Sequence, residues 1–391
     1  MTNLPQGWEV KTLSEIGEII TGSTPSKSNV EFYRKDYPFF KPSDFEQGYF
    51  LENAGDNLSK LGFGKARQLP PKTILVVCIG SLGKVALTRV IGSCNQQINA
   101  IIPHKNIISE YIYYYCISSK FQSILFSKAP QTTLAIFNKT EFSKLEIIYP
   151  KDIKEQERIV GILDFAFSKI DENIKKAKEN LANIGELMQS ALQKAFNPLK
   201  DNAKENYKLP QSWEWKSLEE ISENISAGGD KPKNCTESKT AKNQIPVYAN
   251  GVNNNGLVGY TDKATIIKPS LTISARGTIG FVCIRKEPYF PIVRLISLIP
   301  CENILCLHYL YFCLNFFIAK GEGSSIPQLT IPKFKSLQIP LPPLKEQEQI
   351  AEHLDFVFEK AKALKELYTK ELKDYEELKQ SLLNKAFKGE L

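Results

Sequence analysis

Between residues 163 and 195, apolar side chains recur at alternating spacings of four and three. They are Leu163, Phe167, Ile170, Ile174, Ala177, Leu181, Ile184, Met188, Ala191 and Ala195. Such a heptad seam predicts a long amphipathic helix that needs a partner helix. Its span of roughly 33 residues at 1.5 Å rise makes a rod on the order of 50 Å. A second run predicts another long helix, with slips in its spacing: Leu354, Phe358, Ala361, Leu364, Tyr368, Leu372, Tyr375, Leu378, Leu382 and Ala386. Prolines stand just before both helices, Pro150 in one case and Pro340, Pro342 and Pro343 in the other. They suit a break between a globular block and its helix. Elsewhere the pattern shortens. ILVVCIG, VALTRVIG, LTISARG and GFVCIRK are β-branched runs broken by glycine, and NGVNNNGLVGY is dense in turn residues. Shorter helical pieces are expected at 109–126 and 307–319.

The two long helices belong to a larger repeat. KEQERIVGILDFAF (154–167) returns as KEQEQIAEHLDFVF (345–358), and the match runs without a gap to Phe196 and Phe387, with 19 identities in 43 positions. LPQGWEVKTLSEIGEIITG (4–22) returns as LPQSWEWKSLEEISENISAG (209–228), and TILVVCIGSLGKVAL (73–87) is echoed by SLTISARGTIGFVCI (270–284). The chain is a duplication. Its expected order is a β-rich block at 1–153, a helix and linker at 154–208, a second block at 209–344 and a second helix at 345–391. The expected fold class is α+β, with two β-rich α/β domains separated by two long antiparallel coiled-coil helices. Each helix lying on its own domain is the plainer alternative.

Charge sharpens this division. The whole chain carries +7, distributed as +4 on 1–153, +1 on 154–208, +4 on 209–344 and −2 on 345–391. Positive charge concentrated in the two blocks suits polyanion binding. The eight cysteines form no CxxC pair and lie in apolar runs such as VVCIG and YFCLN, so buried reduced thiols are expected. No apolar run is long enough to span a bilayer, and MTNLPQGWEV lacks a signal peptide's layout. The expected location is the cytoplasm.

Catalytic motifs are absent from the sequence. GSLGK (80–84) lacks phosphate-loop spacing, and GFGKAR (62–67) lacks the third glycine of a dinucleotide loop. His104, His308 and His353 are not at metal-ligand spacing from one another. No GxSxG or HExxH occurs, nor does the FxGxG and [DNS]PP[YF] pair of an adenine methyltransferase.

PLPPLKEQEQIAEHLDFVF (340–358) and YPKDIKEQERIVGILDFAF (149–167) resemble the helical regions of the DNA-specificity subunit of type I restriction–modification systems. The LPxxWExxxLxEI openings at 4–16 and 209–221, GSSIPQLTIPKFKSLQIPLPPL (323–344) and the ending KAFKGEL (385–391) fit that family too. The first copy departs from it in having YPKDI where PLPPL is usual. The resemblance implies a non-catalytic subunit in which each block, a target-recognition domain, reads one half of a split double-stranded DNA target. The helices would then set the unread gap and dock two methyltransferase (modification) subunits. S-adenosylmethionine would belong to those subunits, and ATP and Mg to added restriction/translocase subunits, with no cofactor or metal on this chain and no membrane partner.

Candidate DNA contacts follow from side-chain chemistry. Asn, Gln and Arg can grip base edges, and lysines suit phosphates. In the first block they are Lys41, Ser43, Asp44, Lys84, Gln96, Gln97, Gln131, Thr132 and Thr133. In the second they are Lys231, Lys233, Tyr248, Asn250, Asn253, Arg276 and Arg294. The spacer and partner positions are Leu163, Phe167, Ile170, Ile174, Leu181 and Ile184 on one helix. On the other they are Leu354, Phe358, Tyr368, Leu372 and Leu382. Two other classes compete with this reading. A methyltransferase or nuclease with its own recognition domains would need the missing motifs, and a purely structural coiled coil leaves the two basic, diverged blocks unexplained.

Overall fold

The computed structural model describes residues 4–128, 136–196, 211–318, 321–322 and 329–391. Gln131, Thr132 and Thr133 lie outside them. The chain divides into two compact units, Met1–Lys178 with Thr369–Leu391, and Glu179–Tyr368. Each unit therefore combines one globular block with parts of both long helices, Ile153–Phe196 and Leu344–Ala386.

In the first unit, a five-stranded sheet has the order Gly17–Thr21, Ile98–Pro103, Ile74–Val77, Val85–Thr88, Phe50–Leu51. Ile74–Val77 is buried at all four positions, which is why its sequence is a continuous apolar run rather than an alternating one. The GSLGK stretch makes the tight connection to Val85–Thr88, with Gly80 and Gly83 at φ of 82° and 87°, so its glycines serve a turn. A smaller sheet joins Asp56–Leu58, Tyr37–Phe40 and Ser93–Cys94. Trp8–Thr12 pairs antiparallel with Glu146–Pro150, tying the chain's start to the base of the long helix. The expected helical piece at 109–126 is two helices, Ser109–Ile117 and Ser119–Lys128, broken at Ser118 with its extended ψ of 147°.

The second unit repeats this frame. Its main sheet has the order Ser222–Ala227, Ile296–Pro300, Ser270–Ile273, Val282–Arg285. Its smaller sheet joins Leu257–Thr261, Ile245–Tyr248 and Phe290–Pro291, and Glu214–Ser217 pairs with Gln338–Leu341. The registers coincide. The pair Ile74–Ile101 in one sheet and Leu271–Leu298 in the other differ by 197 residues at both members, as do Ser93 and Phe290 in the small sheets.

The long helices run antiparallel within each unit. In the first, Ile159 and Leu163 share a core with Leu383, Ala386 and Tyr111, and Arg158 donates to the Leu391 carbonyl at 2.7 Å. In the second, Leu192 and Phe196 pack with Ala351, Leu354 and Tyr309, and Asn180 donates to the Tyr368 hydroxyl at 3.1 Å. Pairing with a partner helix and packing on the helix's own domain thus both occur. Burying one such leucine contributes about 2 kcal/mol.

Leu163, Ile170, Ile174, Ala177 and Ile184 of the first seam are buried, with Phe167 and Leu181 half-buried. The second seam is less regular. Leu354 is buried, and Phe358, Tyr368, Leu372 and Leu382 are half-buried. Leu364 and Leu378, however, are 41% and 46% exposed, because the slipped spacing rotates them off the contact line, and Leu383 takes the fully buried place beside Leu382. Four cysteines, 78, 94, 116 and 313, are buried, but Cys235, Cys283, Cys301 and Cys306 are only half-buried, so the expectation of buried thiols holds for half of them. Burial pushes the Cys78 and Cys94 thiols up to about 12. No helix among the described residues is long and apolar enough to cross a membrane.

Candidate nucleic-acid interface

Each block has two working ends, joined by one strand. At the helix end, the glutamine of each KEQE repeat is fully buried. Gln156 accepts from the Ile108 amide at 2.9 Å and donates to the Pro150 carbonyl at 2.9 Å and the Asn106 carbonyl at 3.4 Å. Gln347 accepts from the Cys306 amide and donates to the Ile304 and Pro342 carbonyls, at 2.9, 2.9 and 2.8 Å. Each amide locks the loop that follows a central strand onto the helix base. Tyr111 and Tyr309 add a hydroxyl bond to the carbonyls of Ile148 and Pro340, at 3.0 and 2.7 Å. A glutamine between glutamates on an amphipathic helix carries no signal of burial, so these clamps escaped sequence reasoning except through their repetition.

From the clamped loop, Ile98–Pro103 or Ile296–Pro300 leads back along the sheet to the opposite end, about 20 Å away for six residues. There the loops converge. In the first block the Ser23 amide donates to the Cys94 carbonyl at 3.0 Å, and the Asn95 amide to the Phe40 carbonyl at 3.1 Å. A Cβ on Gly22 would stand 2.1 Å from the Asn95 carbonyl oxygen, so only glycine permits this crossing. Gln96 is exposed and accepts from the Thr24 hydroxyl at 2.5 Å. Gln97 is half-buried, accepts from the Asn95 side-chain amide at 2.8 Å and donates to the Ile79 carbonyl at 3.4 Å. Arg67 joins them, its amide donating to the Ser23 hydroxyl at 3.3 Å and its guanidinium to the Thr21 carbonyl. With Thr21, Gly22 and Lys139 it lines a cavity of 690 Å³.

The second block builds the same crossing with different side chains. A Cβ on Gly228 would meet the Ile292 amide at 2.6 Å. Val293 and Arg294 stand at φ of 52° and 60°, a left-handed conformation that a β-branched valine rarely adopts. The turn is held by amide bonds from Val293 to Gly229 and from Arg294 to Gly228, both 2.8 Å. Asn250 completes it, donating to the Val293 carbonyl at 2.6 Å and accepting from the Ala275 amide at 2.8 Å. Asn250 therefore draws together the loops bearing Arg276 and Arg294, while Lys231 and Lys233 are exposed on the loop after Gly229. Arg294, Gly228 and Thr330 line a cavity of 360 Å³. By strand register, Arg294 occupies the place of Gln97.

Other candidates are engaged within their domains. Both Asp44 oxygens accept backbone amides, from Lys41 at 2.7 Å and Gly55 at 3.0 Å, capping the turn on which Ser43 is exposed. Lys41 pairs with Asp56; burial, reinforced by Lys27, holds its ammonium below the ordinary lysine value. Lys84 pairs with Glu46 beside the long helices, in a cleft shared with Asp164 and Lys379, and so lies apart from the Gln96 crossing. Tyr248 carries the Arg285 guanidinium 3.5 Å over its ring. Buried Arg285 also donates to the Thr272 hydroxyl and the Asn255 carbonyl, at 3.0 and 2.5 Å, fixing the Asn253–Gly256 turn, with Asn254 and Asn255 at positive φ. A charged residue at a strand end reads as solvated, so nothing in the sequence marked Arg285.

Two repeated domains presenting basic and amide side chains on converging loops suit recognition of a nucleic acid in two parts. Residues 5–183 and 210–373 match the family model described as type I restriction modification DNA specificity domain. The chain belongs to this family. Its members confer DNA specificity and are not themselves catalytic. It is 39% identical over 176 residues to the Haemophilus influenzae type I restriction enzyme HindI specificity subunit, a match covering 44% of this chain and 38% of that protein. To the Methanocaldococcus jannaschii MjaIX specificity subunit it is 24% identical over 392 residues, covering 91% and 88%. Among solved structures, a chain from work on complex assembly and conformational transition of the type I R-M system shares the fold at a TM-score of 0.83, with 19% identity and full coverage of both chains. The HsdS subunit from Thermoanaerobacter tengcongensis follows at 0.59, with 20% identity over 99% and 98%.

Proposed function

We propose that this chain reads a bipartite double-stranded DNA target for a type I restriction–modification complex, each block of 1–153 and 209–344 reading one half. The observation that carries this reading is the equivalence of Gln97 and Arg294. One strand frame, held by identical clamps, presents an amide at a position in one block and a guanidinium at the same position in the other. An amide suits adenine and a guanidinium suits guanine in the major groove, so the two halves of the target differ. Arg276, Lys231 and Lys233 supply further base or phosphate contacts in the second block, and Gln96, with Arg67, in the first. The helices of 154–208 and 345–391 set the gap and receive two modification subunits. Those subunits bring S-adenosylmethionine, restriction/translocase subunits bring ATP and Mg, and the complex works in the cytoplasm.

Long-read methylation mapping of cells with and without the gene tests this. The expected result is a split adenine motif that disappears with the gene. An unchanged methylome, or loss of a continuous motif, would overturn the reading.

A further inference from the structure

The turns that lead into the two central strands put different chemistry at one place. Registers in both pairs of sheets differ by 197 residues, so Val293 stands where Gln96 stands in the first block, one residue before the Arg294 and Gln97 positions. Gln96 is an exposed amide outside the left-handed region, hydrogen-bonded to the Thr24 hydroxyl. Val293 is an isopropyl group, 50% exposed, on a backbone at φ of 52°.

Both backbone polar groups of Val293 are engaged inside the domain. Its amide donates to the Gly229 carbonyl at 2.8 Å, and its carbonyl accepts from the Asn250 side-chain amide at 2.6 Å. Ile292 and Leu295 anchor the turn in the core, and between them only Val293 and Arg294 are exposed. What Val293 presents outward is its two methyl groups.

Folding does not explain a valine here. A β-branched residue resists the left-handed region, which glycine enters freely, and the exposed half of the side chain gains nothing from burial. A lone exposed valine in an ordinary conformation is unremarkable. One held in a strained conformation, beside the arginine of a reading loop, calls for a ligand. Among the four bases, the one methyl group displayed in the major groove is the C5-methyl of thymine.

We propose that Val293 is a specificity-determining residue whose methyl groups pack on a thymine C5-methyl in the second half of the target, on the same turn from which Arg294 grips a guanine. The pinned backbone fixes the position of the isopropyl group, so the contact favours thymine over cytosine, which lacks the methyl. This rests on the reading above that the block of 209–344 contacts DNA.

The full chain, assembled with the modification subunit from its own genome, tests this contact on duplexes carrying the motif that methylation mapping returns. The second half is the one that Arg294→Ala relaxes. Each thymine in it is replaced in turn by deoxyuridine, which pairs identically and lacks only the C5-methyl. One such replacement should weaken binding about fourfold, the factor expected for one buried methyl group. Val293→Gly should bind the thymine duplex about fourfold more weakly and no longer distinguish it from the deoxyuridine duplex. Glycine accepts the left-handed backbone, so this variant folds, and thermal melting checks that it does. Deoxyuridine without effect at every thymine of that half, or a half with no thymine, would overturn the contact while leaving the split target intact. So would a Val293→Gly chain that binds more weakly yet keeps the full distinction, the outcome for a valine that only shapes the turn. An assembled chain that does not prefer its motif over unrelated duplex would instead defeat the reading on which the contact rests.

Discussion

The two ends of each block differ in how much they were free to change after duplication. At the helix end, Gln156 and Gln347 make the same three bonds, Tyr111 and Tyr309 reach corresponding carbonyls, and Thr12–Glu15 and Ser217–Glu220 form the same cap. At the loop end only the backbone crossing is shared. There a relaxed Asn95–Gln97 turn faces a left-handed Val293–Arg294 turn pinned by Asn250. A buried polar clamp tolerates no substitution, because each lost partner leaves a group unsatisfied. A solvated loop side chain tolerates almost any, so specificity can vary where stability does not depend on it.

This contrast can be broken most forcefully at the clamps. Gln156→Leu should cost about 3 kcal/mol by leaving the Ile108 amide and two carbonyls unpaired, and Gln347→Leu should cost the same. Denaturant titration of both variants checks this, and a large difference between them would show that the ends are not equivalent. Arg294→Ala should weaken binding of the full target by about 1–3 kcal/mol, with specificity relaxed only in the half read by the second block. Gln97→Ala should relax only the other half, and methylation motifs of the two variants read this directly. Val293→Asn should stabilise the second block by about 1 kcal/mol, since asparagine accepts a left-handed backbone that valine resists. Discrimination at Arg294 should fall as the pinned turn loosens, and a stability gain without that loss would mean the strain serves no reading role.

The smallest effect concerns acid. Backbone and side-chain bonds from Thr12 hold the Glu15 carboxyl below the ordinary 4.5, and the Ser217 hydroxyl and amide do the same for Glu220. A depressed folded value means that the caps stabilise above pH 4.5 and lose that contribution as pH falls through the folded value. Melting of Glu15→Gln and Glu220→Gln should therefore differ from the unaltered chain at pH 6, and the difference should shrink as pH falls below 4.5 and through the folded values.

The repeat, the long helices and the strand runs were legible in the sequence because periodicity and duplication survive without knowledge of contacts. Leu364 and Leu378 were misplaced because a heptad count cannot say on which side a slipped seam resumes. The roles of Asp44 and Asn250 were half visible. Their residue types suit loops and bases, but whether a short polar side chain faces DNA or its own backbone depends on the approach of distant segments, such as Gly55 and Val293. Arg285 was invisible for the same reason, since its partners Tyr248, Thr272 and Asn255 come from three separate stretches.

The glycine crossing has a practical corollary. At Gly22 and Gly228 two main chains pass with no room for a single added carbon, 2.1 Å and 2.6 Å from their nearest neighbours. These points act as fulcrums for randomisation: a library varying 23–27 and 96–97, or 230–233 and 294, while leaving both glycines untouched, should yield folded proteins with altered targets. One that touches either glycine should yield mostly unfolded chains. Retargeting such a reader is therefore a matter of a dozen or so side chains around an immovable atom.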